Sequence, residues 1–187
     1  MLESSRKYLE GKLKLKMNVE KSRVVSVYSK LNFKFLGFAL GKGKEGVYIR
    51  THAKSLKKAK QKLKELTSRS QGRNVRVVMY KVKEFIRGWL GYFGIASMRN
   101  TMKEWDGWLR RRFRMYIWKQ WKVPKARAGN LEKLGVPRYY ARKWSYVKGY
   151  WRVAGSPILM TSITSERLAQ AGYYSILDRY ESLHLNG

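Results

Sequence analysis

The chain of 187 residues contains no cysteine, two histidines, three prolines and two aspartates. Without cysteine, a disulfide scaffold, a Cys-ligated zinc finger and a thiol nucleophile are excluded. His52 and His184 stand too far apart for a helical zinc pair. A cysteine-free composition fits the cytoplasm, where thiols stay reduced and disulfides are not needed. Long apolar runs are also missing. The longest uncharged stretches, 88–98 and 153–165, fall short of the ~20 apolar residues a membrane helix needs, and the opening residues do not read as a signal peptide. Neither a span nor export is expected. Asp106 and Asp178 are the whole aspartate supply, with no Asp-Asp or Asp-x-Asp pair, so the clustered carboxylates of two-metal catalysis are lacking. No nucleophile-elbow sequence accompanies the Ser, His and Asp residues present. No catalytic residue and no metal ligand is assigned.

What the chain has in excess is positive charge. Lys and Arg number 42 against 12 acidic residues, a formal net charge of +30, and 44% of the residues are apolar. That apolar share excludes a disordered basic tail, so the cations must sit on a folded body, where they repel one another unless a polyanion neutralises them. Nucleic acid is the commonest such partner; an anionic membrane surface and the ribosome interior are the competing ones. The charge is uneven, since residues 153–187 hold slightly more acid than base.

The periodicity divides the chain near 48–52. Before it, a short helix carries Leu2, Leu9 and Leu13 at helical spacing, and period-two or β-rich runs predict strands at 13–17, 24–28, 33–40 and 47–50. Gly41-Lys42-Gly43-Lys44-Glu45-Gly46 matches G-x-G-x-x-G, but a strand pattern follows where a dinucleotide site needs a helix, so a hairpin loop is the better reading. After Thr51, a possible cap, the period is helical. Leu56, Ala59, Leu63 and Leu66 form one stripe, opposed by Lys54, Lys57, Lys58, Lys62 and Lys64, with Lys60 beside the stripe. A second helix runs from a cap at Asn74 to Gly94, and a third from near Asn100 with Met102, Trp105, Leu109, Phe113, Tyr116 and Ile117 inward, stopping before Pro124. Shorter helices are predicted around Leu131 and Leu134, from Arg138 through Val147, over 165–171 and over 176–183, with turns at Gly149 and Gly155-Ser156-Pro157. The expected fold is α+β and mainly helical: a small antiparallel β portion, a three-helix bundle and short C-terminal helices.

Two surfaces suit a polyanion. Between Lys54 and Lys64 there are six lysines and no acid, so no i,i+4 salt-bridge lattice relieves their repulsion. On the third helix, at about 100° per residue, Arg110, Arg111, Arg114, Trp118 and Trp121 lie about 100° to 200° from Leu109. Guanidinium groups there would meet phosphates and an exposed indole would carry a base; alternatively Trp118 and Trp121 pack beneath a later segment, such as that after Pro137. On the outward reading, replacing Arg110, Arg111 and Arg114 leaves folding intact. Asp106 reads best as a local partner for Lys103 or Arg110. Arg142, Lys143 and Arg152 continue the basic-aromatic mixture through Tyr139-Tyr140-Ala141-Arg142-Lys143-Trp144 and Lys148-Gly149-Tyr150-Trp151-Arg152.

The segment Asn18-Val19-Glu20-Lys21-Ser22 followed by Phe35-Leu36-Gly37-Phe38 resembles the last palm motifs of group II intron-encoded reverse transcriptases. Residues 63–69 and Arg87-Gly88-Trp89-Leu90-Gly91-Tyr92-Phe93 resemble their maturase-specific, or X, domain, which serves as the thumb. Gly149-Tyr150-Trp151-Arg152 and Ser156-Pro157-Ile158-Leu159 resemble the closing region of bacterial members that lack an endonuclease domain. The resemblance implies a palm remnant at 1–50, an X/thumb bundle at 51–123 and a helical extension at 124–187, a C-terminal piece without the Tyr-Ala-Asp-Asp loop. It implies structured RNA, a group II intron above all, as partner, and help with intron folding and splicing. An RNA/DNA duplex is a further possible partner, and self-association through the palm edge is expected. No cofactor is expected; Mg²⁺ belongs to the complete reverse transcriptase. The alternatives are a reverse transcriptase portion whose palm is supplied elsewhere, and a general basic DNA- or ribosome-associated protein.

Overall fold

The computed structural model describes residues 2–18, 20, 22, 24, 34–43 and 46–185. Apart from Val24, the strand expected over 24–28 lies outside them, as do Val19 and Lys21 of the N-x-x-K-S segment. Helix α1 (Leu2–Gly11) is surface-exposed from Glu3 to Tyr8 and carries an Arg6–Glu10 pair at 3.2 Å. The strand expected at 13–17 is not formed. Lys14 has a φ of 55°, outside the extended region, and the Leu15 amide bonds back to the Leu9 carbonyl at 3.0 Å.

Among the described residues the strands form one antiparallel hairpin, β1 (Phe38–Gly43) with β2 (Gly46–Thr51), in a register that faces Gly41 with Tyr48 and Gly43 with Gly46. The glycine-rich segment thus belongs to this hairpin, with Gly41 and Gly43 on β1 and Gly46 on β2, and Gly41 leaves room for the Tyr48 ring, which a Cβ would meet at 2.5 Å. The run 33–40 is not one strand, because Phe35-Leu36-Gly37-Phe38 is a tight turn. Phe35 and Phe38 exchange backbone hydrogen bonds of 3.1 and 2.8 Å, and Leu36 and Gly37 have φ of 49° and 85°, the double positive φ of a two-residue hairpin turn. The turn is clamped from two sides. The Gly37 carbonyl accepts from the His52 amide at 2.9 Å and the Ser55 hydroxyl at 3.0 Å, while the Tyr92 hydroxyl donates to the Leu36 carbonyl at 2.9 Å. Phe38 stacks on Tyr92 and Phe93 at 5.5 and 5.1 Å. Two motifs some fifty residues apart in sequence are therefore halves of one joint between the hairpin and the second bundle helix.

The bundle follows: α2 (Ala53–Leu66), α3 (Val75–Phe93) and α4 (Arg99–Gln120). Asn74 caps α3 by accepting from the Arg76 amide at 2.9 Å, and Gly94 ends it, where local chemistry places both. At α2 the cap is His52, whose Nδ1 accepts from the Lys54 amide at 3.1 Å; Thr51 instead closes β2, its hydroxyl 3.4 Å from Met98 Sδ. Then come α5 (Pro124–Lys133), α6 (Arg138–Ser145), α7 (Tyr150–Ala154), α8 (Pro157–Ser162), α9 (Ser165–Gln170) and α10 (Ile176–Leu185). The turns at Gly149 and Gly155 each lead into a short helix, α7 and α8, that periodicity is too brief to show.

A single buried cluster runs from Ala59 on α2 to Tyr180 on α10. Helix α4 supplies Met102, Leu109 and Phe113 to it, all fully buried, each contributing about 1.5–3 kcal/mol by leaving water. Because α4 packs against α3, α7 and α10, it is enclosed on more than one side. Among the described residues, no helix is long and apolar enough to cross a membrane.

Candidate nucleic-acid interface

Helix α2 divides as its spacing requires. Ala59 and Leu63 are buried, and Lys54, Lys57, Lys58, Lys60, Lys62 and Lys64 are all exposed. Among the described residues, no ion pair involves any of them; Glu65, the one acid on the helix, accepts from Gln61 at 3.1 Å. Lys54, Lys57, Lys58 and Lys62 border a shallow depression of about 500 Å³.

On the other flank of the lysine face a second cleft, of about 410 Å³, opens between α2, α4 and α7, lined by Lys57, Lys60, Lys64, Trp108, Arg112 and Trp151. Arg112 ties its walls together. It donates to the Lys64 and Thr67 carbonyls at 2.9 and 3.1 Å and to the Thr67 hydroxyl, placing a cation on the carbonyl end of α2, where the helix dipole favours one. Burial lowers its pKa from the ordinary arginine value, though the guanidinium keeps its proton. The same group lies 5.1 Å from the Trp108 ring centre, and Lys60 Nζ lies 5.7 Å from that ring. Across the cleft Arg111 stacks on Trp151 at 4.1 Å and donates twice to the Trp151 carbonyl, at 3.2 and 3.0 Å. Gly155 makes space for it, since a Cβ there would meet the guanidinium at 2.5 Å.

The outward face expected for α4 is not outward. Trp118 is 1% exposed and Arg114 7% exposed. The Arg114 Nε donates to the Ile163 carbonyl at 2.8 Å, and burial, then the Arg110 charge, lower its pKa against a raising effect of Tyr173. Trp118 is roofed by the Arg127 guanidinium at 4.7 Å and meets Trp121 edge-on at 5.8 Å. Arg110 pairs with Asp106 at 2.5 Å, the local partnership read from the sequence. Asp106 does more than that: its Oδ1 also accepts from the Tyr173 hydroxyl at 2.7 Å and the Ile176 amide at 3.0 Å, tying α4 to the start of α10. Burial, then the Asp106 charge, push the Tyr173 hydroxyl well above its ordinary pKa. The wheel fails here because it assumes one covered side, and the segments after Pro124 cover the other.

The remaining basic residues sit elsewhere. Arg142 and Lys143 are exposed on α6, where with Arg138 and Tyr139 they border a depression of about 480 Å³, away from the α2 cleft lining. Arg152 is exposed and donates to the Lys148 carbonyl at 3.2 Å. Tyr150 beside it is a hub, with Arg69 and Lys119 at 4.7 and 5.2 Å from its ring. Sequence reasoning missed Trp108 and Arg112, and it read Lys60 and Trp151 only as parts of two separate basic segments. The signal available was the i,i+4 pair Trp108 and Arg112 on the α4 flank, but only the packing of α2 and α7 on α4 makes these residues walls of one cleft.

Residues 56–135, from the first turn of α2 to the turn after α5, match the family model of the group II intron, maturase-specific domain. The matched stretch is similar to a maturase-specific domain and takes in all but the first three residues of α2 and the whole of α3 and α4. No curated protein matches the chain.

Proposed function

We propose that this chain, through its maturase-specific domain, binds a structured group II intron RNA and assists its folding and splicing by neutralising phosphates, without supplying a catalytic group of its own. The observation that carries this is the α2 lysine face: six exposed cations on one helix, with no ion pair to any of them among the described residues, all but Lys54 inside the matched stretch 56–135. Such a face pays a repulsive cost in the free protein that a phosphate backbone removes, and it favours RNA folds in which backbones converge. In this reading residues 1–50 correspond to the end of a palm, 51–123 to a thumb and 124–187 to an extension that buttresses α4.

The test is fluorescence anisotropy of the full chain on a group II intron RNA at several salt concentrations. Replacing Lys54, Lys58 and Lys62 together with Gln should weaken binding and flatten the log-log salt slope by about 0.7–0.9 per lost phosphate contact. Unchanged affinity and slope would remove α2 as the binding face. Equal affinity for heparin or duplex DNA would replace the intron reading with that of a general polyanion binder.

A further inference from the structure

We propose that the cleft between α2, α4 and α7 is a site for one unpaired nucleotide of RNA, with its base laid on the tryptophan rings and its phosphates held by Lys57, Lys60 and Lys64. This rests on the RNA-binding reading above and adds a feature that phosphate neutralisation does not need, namely discrimination between paired and unpaired RNA.

Three observations converge on it. First, the cleft holds two indoles, each in contact with an anchored guanidinium. Arg112 is anchored to the end of α2 by backbone carbonyls and lies 5.1 Å from Trp108, and Arg111 is anchored to the Trp151 carbonyl while stacked on its ring at 4.1 Å. An aromatic platform that is already ordered loses little entropy when a base lands on it. Second, Trp151 remains 39% exposed, and the cavity of about 410 Å³ lies within the roughly 300–1,000 Å³ of small-ligand sites. Third, no acid lines the cleft, and the three lysines on its rim form no ion pair among the described residues. Flat aromatic faces beside unpaired cations suit a ligand with a π-face next to a phosphate, which is a nucleotide. The nucleotide must be unpaired, because in an A-form helix each base face is already stacked on its neighbours, and only a bulge, loop or end can offer it. The outer lysines Lys54, Lys58 and Lys62, which do not line this cleft, suit the paired backbone.

The experiment compares the full chain on a fully paired RNA hairpin and on the same hairpin with one bulged adenosine. The bulged RNA should bind more tightly, and Trp151→Ala should abolish the difference, a loss of about 5- to 100-fold on the bulged RNA alone, as expected for one base stacked on an aromatic ring. Trp151→Phe should retain much of the preference. Gly155→Ala, which displaces only the Arg111 guanidinium from its stack, should reduce it, with thermal unfolding of each variant confirming that the fold is kept. Paired and bulged RNA bound equally well, or a preference that survives Trp151→Ala, would overturn the site while leaving the α2 reading intact. If neither RNA binds, both readings fall. If polyglutamate displaces the bulged RNA as effectively as RNA does, the cleft is an acidic-peptide site and the nucleotide assignment is wrong.

Discussion

Asp106 offers the sharpest test of how α4 is held. The residue is 2% exposed and its side chain has three partners: Arg110 at 2.5 Å, the Tyr173 hydroxyl at 2.7 Å and the Ile176 amide at 3.0 Å. Asp106→Ala removes all three. Breaking a fully buried ion pair from one side costs about 3–5 kcal/mol, but the Arg110 side chain is 31% exposed and can return to water, so that part is discounted. The Tyr173 hydroxyl keeps a secondary acceptor, the Asp106 carbonyl at 3.2 Å. The Ile176 amide is left without its carboxylate partner, and a buried unsatisfied donor costs about 1–3 kcal/mol. The sum expected for Asp106→Ala is about 2–4 kcal/mol. Asp106→Asn retains a side-chain oxygen that can accept from Tyr173 and Ile176 but sets an amide NH2, which cannot accept, against Arg110; because Arg110 is partly exposed and can turn to water, a smaller loss of about 1 kcal/mol is expected. Urea unfolding of the full chain, followed by circular dichroism, resolves the two values. An alanine variant within about 0.5 kcal/mol of the parent would show that this network does not hold α10 to α4, and equal losses for Asn and Ala would mean that charge, not the two hydrogen bonds, is the stabilising part.

Four other expectations follow from the same contacts. Replacing Arg110, Arg111 and Arg114 together with Gln should lower the unfolding midpoint, because Arg114 is buried and Arg110 and Arg111 bond within the fold; an unchanged midpoint would mean these bonds contribute nothing. Leu109→Ala, at a fully buried position, should cost roughly 2–5 kcal/mol in the same urea assay, and a loss under 1 kcal/mol would contradict its central place. His52 has its pKa lowered by burial first and then by Lys34, Lys54 and Arg50, so the folded state binds this proton less readily than the unfolded one; its stabilisation is present above about pH 6.5 and lost as pH falls through the folded value, when Nδ1 can no longer cap α2. The urea midpoint should therefore drop between about pH 7 and pH 5, and His52→Asn, a cap that does not titrate, should flatten that drop; an equal drop in the variant would clear His52 of the effect. Gly94→Ala would put a Cβ 2.5 Å from the Leu90 carbonyl oxygen and 2.8 Å from Leu183 on α10 and should destabilise by about 1–3 kcal/mol, with hydrogen-exchange protection falling at the last turn of α3 and on α10.

Local chemistry by itself determined the ends of α3. Asn74 and Gly94 cap α3 because an Asn oxygen reaches the next turn's amides wherever a helix begins after it, and a glycine can end one; these effects span a few residues and need no partner. The same holds for the α2 stripe, since alternate burial every three to four residues is a property of the helix itself, and for the hairpin at Gly41–Gly46. Tertiary structure decided everything that depends on which surfaces meet. The run 33–40 bends at Leu36 and Gly37 because Tyr92, Phe93 and Ser55 clamp the turn, and no strand propensity encodes a clamp contributed by two later helices. Arg114 and Trp118 are buried because α5 and later segments, through Arg127 and the Ile163 carbonyl, close over α4, whereas a helical wheel records angle and not how many sides are covered. The cleft with Trp108 and Trp151 exists only where α2, α4 and α7 converge: the residues were visible in the sequence, but their separation in space is set by packing between elements far apart along the chain, and periodicity, which compares neighbours, carries no information about it.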